Sequence, residues 1–138
     1  MSITQDECRI IVEFRIEKAL RSYEHAKANA SLGFWEVVAN RLYYAAFNAA
    51  SALLVASSEI PQTQRAVRYL FGIKFVREGL IDGDLSRIYN ELFEKRQTGD
   101  YDDAYCLTER DVSPLVEPAG KLISVVVALA RQKIAEMA

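Results

Sequence analysis

One histidine, two cysteines, three prolines and a single tryptophan stand in the 138 residues. The lone histidine, His25, removes most familiar active sites at once. No Ser–His or Cys–His nucleophile pair can be completed with a histidine to spare, and Ser22 stands where a Glu-x-x-His di-iron motif would need its glutamate. His25 lies in a charge-rich N-terminal stretch and is read as a surface residue. Cys8 and Cys106 have no metal-ligand spacing, so both are expected to be free thiols in a reducing compartment. There is no phosphate loop, no glycine-rich dinucleotide fingerprint, no strand alternation and no internal repeat. No apolar run continues for about 18 residues, so no membrane span is expected. The start of the chain, Met1 to Glu7, is polar and acidic rather than a secretion signal, and the expected location is the cytoplasm. A formal net charge of -2 excludes a broadly basic nucleic-acid surface, so any such binding has to come from a local patch. Asp100, Asp102 and Asp103 could hold a hydrated Mg²⁺, but an acidic turn is more often simply solvated. No metal and no cofactor are expected.

What is present is helical. Apolar residues make up 51% of the chain and charged residues 26%, the balance of a globular domain long enough to bury its own core. A single domain over residues 1–138 is expected. Cys8, Val12, Ile16, Ala19, Tyr23, Ala26 and Ala30 repeat at three and four, which predicts a first amphipathic helix over about 6–30. Ser31-Leu32-Gly33 breaks it. A second helix over about 34–57 is apolar on nearly every side and reads as the centre of the fold, walled in by the others. Pro61 stops it. A third helix, about 62–78, carries Arg65, Arg68, Lys74 and Arg77 without one basic stripe; a solvated face is the reading, with a phosphate-binding edge as the alternative. Gly79 caps it, and Asp82-Gly83-Asp84 opens a fourth helix along Leu85, Ile88, Tyr89, Leu92 and Arg96. Residues 97–103 read as an acidic turn. The last helix has two candidate starts, the Thr108/Asp111 box and Ser113-Pro114, and Pro118 is expected to kink its early turns. Val125-Val126-Val127 favours a strand, but no partner strand exists. The expected fold is all-α, an up-and-down bundle of four or five helices.

Two arginines on inward-pointing stripes carry the candidate chemistry. Arg41 shares one side of the second helix with Tyr44 and Asn48, and Arg96 prolongs the apolar line of the fourth. A guanidinium is always charged, and stranding one without a partner costs roughly 3–5 kcal/mol. Asp100 is therefore expected to pair with Arg41 or Arg96. Such a pairing is either a clamp closing the bundle or the wall of a cleft where arginine meets phosphate, with Tyr101 beside it.

At these residues the chain resembles the HEPN family, the small helical domains named for higher eukaryotes and prokaryotes and for nucleotide binding. The resemblance runs from about residue 16 to 134. It rests on Ala39-Asn40-Arg41-Leu42-Tyr43-Tyr44-Ala45-Ala46-Phe47, similar to the family's Arg-x-Tyr-Tyr-Ala helix, on Arg96-Gln97-Thr98-Gly99-Asp100-Tyr101, similar to its Arg-x-x-x-Asp-Tyr segment, and on the stretch Phe71 to Ile81. The resemblance implies a prokaryotic homodimer with both arginine motifs at a cleft near the interface. It implies association with a minimal nucleotidyltransferase in a toxin–antitoxin-like system, and a polar site of Arg41, Asn40, Tyr44, Arg96, Asp100 and Tyr101 that takes nucleotide or RNA. Family ribonucleases use an arginine followed after four to six residues by histidine. Here Tyr101 stands at the nearest such position and residues 101–103 contain no histidine. Gln64 also follows Thr63 where relatives commonly carry Thr-His. Tyrosine, with an ordinary pKa of about 10, is a poor proton shuttle at neutral pH. The expectation is a binding or regulatory protein without the usual cleavage; the alternatives are an active metal-independent ribonuclease using Arg96 with Tyr101 or Asp100, and a plain helical interaction module.

Overall fold

The computed structural model describes residues 3–101 and 106–137, with the side chains of residues 99–101 left aside. Five α-helices follow one another: α1 (Gln5–Leu32), α2 (Trp35–Ala56), α3 (Gln64–Phe71), α4 (Gly83–Tyr101) and α5 (Glu109–Ala135). There is no strand among the described residues. The expected all-α bundle is what the chain forms.

The ends of the helices follow from local chemistry. Thr4 opens α1 with a capping box: its hydroxyl accepts from the Glu7 amide, and the Glu7 carboxylate accepts from the Thr4 amide. These contacts hold the Glu7 carboxyl below its usual pKa. Gly33 ends α1 at φ 80°, a left-handed turn that a Cβ would strain. Thr63 caps α3 through the Ala66 amide. Of the two candidate starts for α5 the Thr108/Asp111 box is the one used, and the helix runs through both Pro114 and Pro118. Val125, Val126 and Val127 are helical.

α2 is the hub, packed against α1, α3, α4 and α5. From Val38 to Ala56 it is buried almost all round, and its alanines at 45, 46, 49, 50 and 52 let neighbouring helices come close. Tyr23 of α1 donates to the Val116 carbonyl of α5 at 2.9 Å, tying two of the surrounding helices. By length and composition α5 is apolar enough to cross a bilayer. Here its buried stripe, including Val112, Leu115, Leu122, Val126 and Ala130, belongs to the core of the bundle.

Two local expectations are corrected. The third helix does not continue regularly to residue 78: after Phe71 the backbone widens into a π-turn over Gly72–Val76, with the Arg77 amide bonding the Gly72 carbonyl, before Gly79 turns the chain at φ 80°. The expected turn also does not begin at residue 97, because α4 continues to Tyr101. A single glycine costs a helix only about 1 kcal/mol, which does not stop propagation from a well-packed helix.

Candidate cationic–aromatic site

Tyr43 of α2 sits at the centre of an aromatic cluster, almost fully buried, with the rings of Tyr44, Phe47, Tyr89 and Phe93 between 5.1 and 6.4 Å from its own. Its hydroxyl points outward and donates to the Gln64 side-chain oxygen at 2.8 Å. The Gln64 amide in turn reaches the Tyr44 hydroxyl at 3.5 Å. α3 is thereby tied to the middle of α2 through polar atoms. Burial pushes the Tyr43 phenol above its ordinary pKa; the Arg96 guanidinium opposes that shift, Tyr44 adds to it, and Arg68 again opposes it.

The arginines gather around these rings. Arg41 lies with its guanidinium carbon 5.4 Å from the Tyr44 ring centroid, and Arg96 lies 5.2 Å from both the Tyr44 and the Tyr43 centroids. Two cations from different helices therefore share one tyrosine ring. The negative face of that ring favours each cation. Asn40 orients Arg41, its side-chain oxygen accepting from Nε at 3.0 Å and from the terminal nitrogen at 2.6 Å. Both arginines are half-buried. Asp100 lies one helical turn beyond Arg96 on α4, and its side chain, like that of Tyr101, is outside the described residues, as are Asp102 and Asp103 altogether. The expected Asp100 pairing falls there too.

The polar line expected along α2 divides in two. Arg41 and Tyr44 belong to the site. Asn48 does not: it is buried, its amide donates to the Tyr44 carbonyl, and its oxygen accepts from Arg15 of α1 at 3.4 Å. That end of the line fastens α1 to α2. His25 is exposed, as expected. Among the described residues no group of three His, Cys, Asp or Glu side chains could hold a metal ion. Cys8 is buried against the Val55 carbonyl and Cys106 is exposed; both are free thiols.

The sequence offered Arg68 on a helix read as a solvated face, with a phosphate-binding edge as the alternative, and gave no signal of Phe93. The Arg68 guanidinium lies 3.7 Å from the Phe93 centroid, extending the cationic–aromatic surface from α2 and α4 onto α3. Gln64 carries a partial signal, since it follows Thr63 where relatives commonly have histidine, but its bond to Tyr43 is not readable from spacing.

A sequence profile described as the HEPN domain matches residues 12–132. The chain belongs to the HEPN domain family. Among its HEPN relatives, a UPF0332 protein of Thermotoga maritima is 31% identical over 109 residues, covering 79% of this chain and 83% of that protein. The Methanocaldococcus jannaschii protein named "Putative toxin MJ0142" is 32% identical over 91 residues, or 66% of this chain and 62% of that one. The crystal structure of TT1696 from Thermus thermophilus superposes with a TM-score of 0.68 at 18% identity, covering 88% of this chain and 97% of that one, which supports the HEPN bundle as the fold. The Arg41 and Arg96 segments both fall inside the matched region.

Proposed function

We propose that this HEPN protein binds a phosphate-bearing ligand, nucleotide or RNA, in the cleft between α2 and α4, and that it does so as a homodimeric, regulatory member of a toxin–antitoxin-like system with a nucleotidyltransferase partner. One observation carries the reading: Arg41 and Arg96 converge on the Tyr44 ring, a pair of fixed cations with an aromatic wall. Guanidinium groups suit phosphate oxygens because their donors form a planar fork, and the tyrosine offers a face to a base or sugar. Asn40 fixes one fork in place, and Asp100 and Tyr101 are assigned to the rim from the sequence.

Cleavage is not part of this reading, because the segment after Arg96 lacks the histidine that would move a proton. The toxin names of two Methanocaldococcus jannaschii relatives favour a second reading, a metal-independent ribonuclease using Arg96 with Tyr101 or Asp100. One experiment separates the two. Purified protein is mixed with end-labelled structured RNA, with and without chelator, and scored for both retention and new ends. Binding without new ends, lost in Arg41→Ala, supports the regulatory reading. New ends that disappear in Arg96→Ala establish the ribonuclease. Neither retention nor new ends at any concentration refutes both. Sedimentation that finds only monomer at tens of micromolar removes the homodimer.

A further inference from the structure

Beside the cleft, α3 and its π-turn form a groove with the start of α4, of about 370 Å³, lined by Arg65, Arg68, Tyr69, Gly72, Ser86 and Asn90. Neither arginine has a carboxylate partner within salt-bridge distance among the described residues, whereas Lys74, on the same segment, is paired with Glu59 at 2.7 Å. Both arginines thus bring uncompensated charge to the groove wall. Tyr69 is 65% exposed, so its ring is open to solvent at the groove. π-turns are frequent at functional sites, and this one begins at Gly72, three residues after Tyr69 and itself part of the groove lining.

The groove continues the cleft. Arg68 lies over Phe93, whose ring is 5.9 Å from Tyr43; Tyr43 carries Arg96 on its ring; and Arg96 shares Tyr44 with Arg41. Three guanidinium groups from α3, α4 and α2 alternate with aromatic rings along one path. A mononucleotide fits one cation pair and has no use for the rest. A chain of nucleotides uses more of it, because each further phosphate meets a cation and an unpaired base can meet the exposed ring of Tyr69. A duplex hides its base faces, so exposed Tyr69 would be idle against it.

We infer that the α3 groove is a second subsite, with Arg65 and Arg68 taking phosphates and Tyr69 stacking a base, so that the ligand of this site is single-stranded RNA several nucleotides long. The inference rests on the phosphate-binding reading of the Arg41/Arg96 cleft and goes further by assigning the ligand's length and strandedness.

The test uses fluorescence anisotropy with a labelled eight-nucleotide oligoadenylate, and calorimetry with AMP, over a range of salt concentrations. Wild type binds the octamer at least about tenfold more tightly than AMP. Arg65→Ala/Arg68→Ala removes about tenfold of octamer affinity, and the salt slope falls by about 1.4, roughly 0.7 for each lost phosphate contact. Tyr69→Ala weakens the octamer about tenfold with the salt slope unchanged, since stacking on it releases no counterion. AMP affinity is unchanged in Tyr69→Ala. Because Arg68 packs on Phe93, circular dichroism is recorded; if the double variant unfolds, the exposed Arg65→Glu and Tyr69→Ala carry the test. Octamer binding that is indifferent to Arg65, Arg68 and Tyr69 but lost in Arg41→Ala overturns the groove and leaves the cleft standing. Indifference to Arg41 as well overturns both, and preference for a duplex octamer overturns the single-strand assignment.

Discussion

Tyr89 is buried to 1% exposure beneath the site, between the rings of Phe71 and Tyr43, and its hydroxyl has no hydrogen-bond partner among the described residues. Tyr89→Phe removes that one oxygen and leaves the ring in place. A buried hydroxyl without a partner costs about 1–3 kcal/mol of desolvation. Against this gain stand a few dispersion contacts at about 0.1–0.2 kcal/mol each and the attraction of the Arg68 guanidinium for the phenol oxygen. The net expectation is stabilisation by about 1 kcal/mol, a rise in Tm of roughly 4 °C for a domain of this size. The sign is what discriminates, because most substitutions in a packed core destabilise. The same residue also predicts a pH dependence. Burial raises the Tyr89 pKa far above the value of about 10 that it has in the unfolded chain. Above pH 10 the unfolded state loses the proton while the folded state keeps it, so this group's stabilisation is complete below pH 10 and declines as pH rises, by up to about 1.4 kcal/mol per pH unit. Tyr43 and Tyr23 are shifted the same way and act in both proteins. Urea unfolding at pH 7 and at pH 11 measures both effects: Tyr89→Phe is more stable than wild type at pH 7, and its stability falls less between the two. A variant less stable than wild type at pH 7 by more than about 0.5 kcal/mol would refute the argument, since the hydroxyl would then have a favourable partner.

Other outcomes follow from the same contacts. A Cβ at Gly120 would lie 2.4 Å from the Tyr23 hydroxyl oxygen and 2.8 Å from Cζ. Gly120→Ala gains about 1 kcal/mol of helix propensity but displaces the ring and breaks its bond to Val116, so thermal melts should show a net loss of about 1–3 kcal/mol. Gln64→Ala leaves the Tyr43 hydroxyl without its acceptor; a loss of about 1–2 kcal/mol in denaturant titrations is expected, and an unchanged midpoint would mean the bond contributes nothing. Chelator should leave RNA retention unchanged in a filter-binding assay, since arginine recognises phosphate without a metal; loss of retention would point to a cation at the acidic segment after Arg96.

The spacing of apolar residues was enough to determine five helices, the central place of α2 and the all-α class. Those features are set by a local rule: a helix with a continuous stripe must bury it, and one apolar all round must be surrounded. Capping chemistry at Gly33, Gly79 and Thr108 likewise acts within a few residues, so most boundaries were legible. The boundaries that moved depend on forces from further away, the π-turn at Gly72–Val76 and the extension of α4 to Tyr101. The sequence singled out Arg41, Tyr44 and Arg96, because a charge on an apolar stripe is visible in one dimension. Only the tertiary structure decided that Arg41 and Arg96 meet at one ring, that Asn48 belongs to Arg15 instead, and that Arg68, Phe93 and Gln64 join the site. Those residues stand on different helices, far apart in the chain, and which faces meet is fixed by how the helices pack, a property of the whole bundle that no single helix carries.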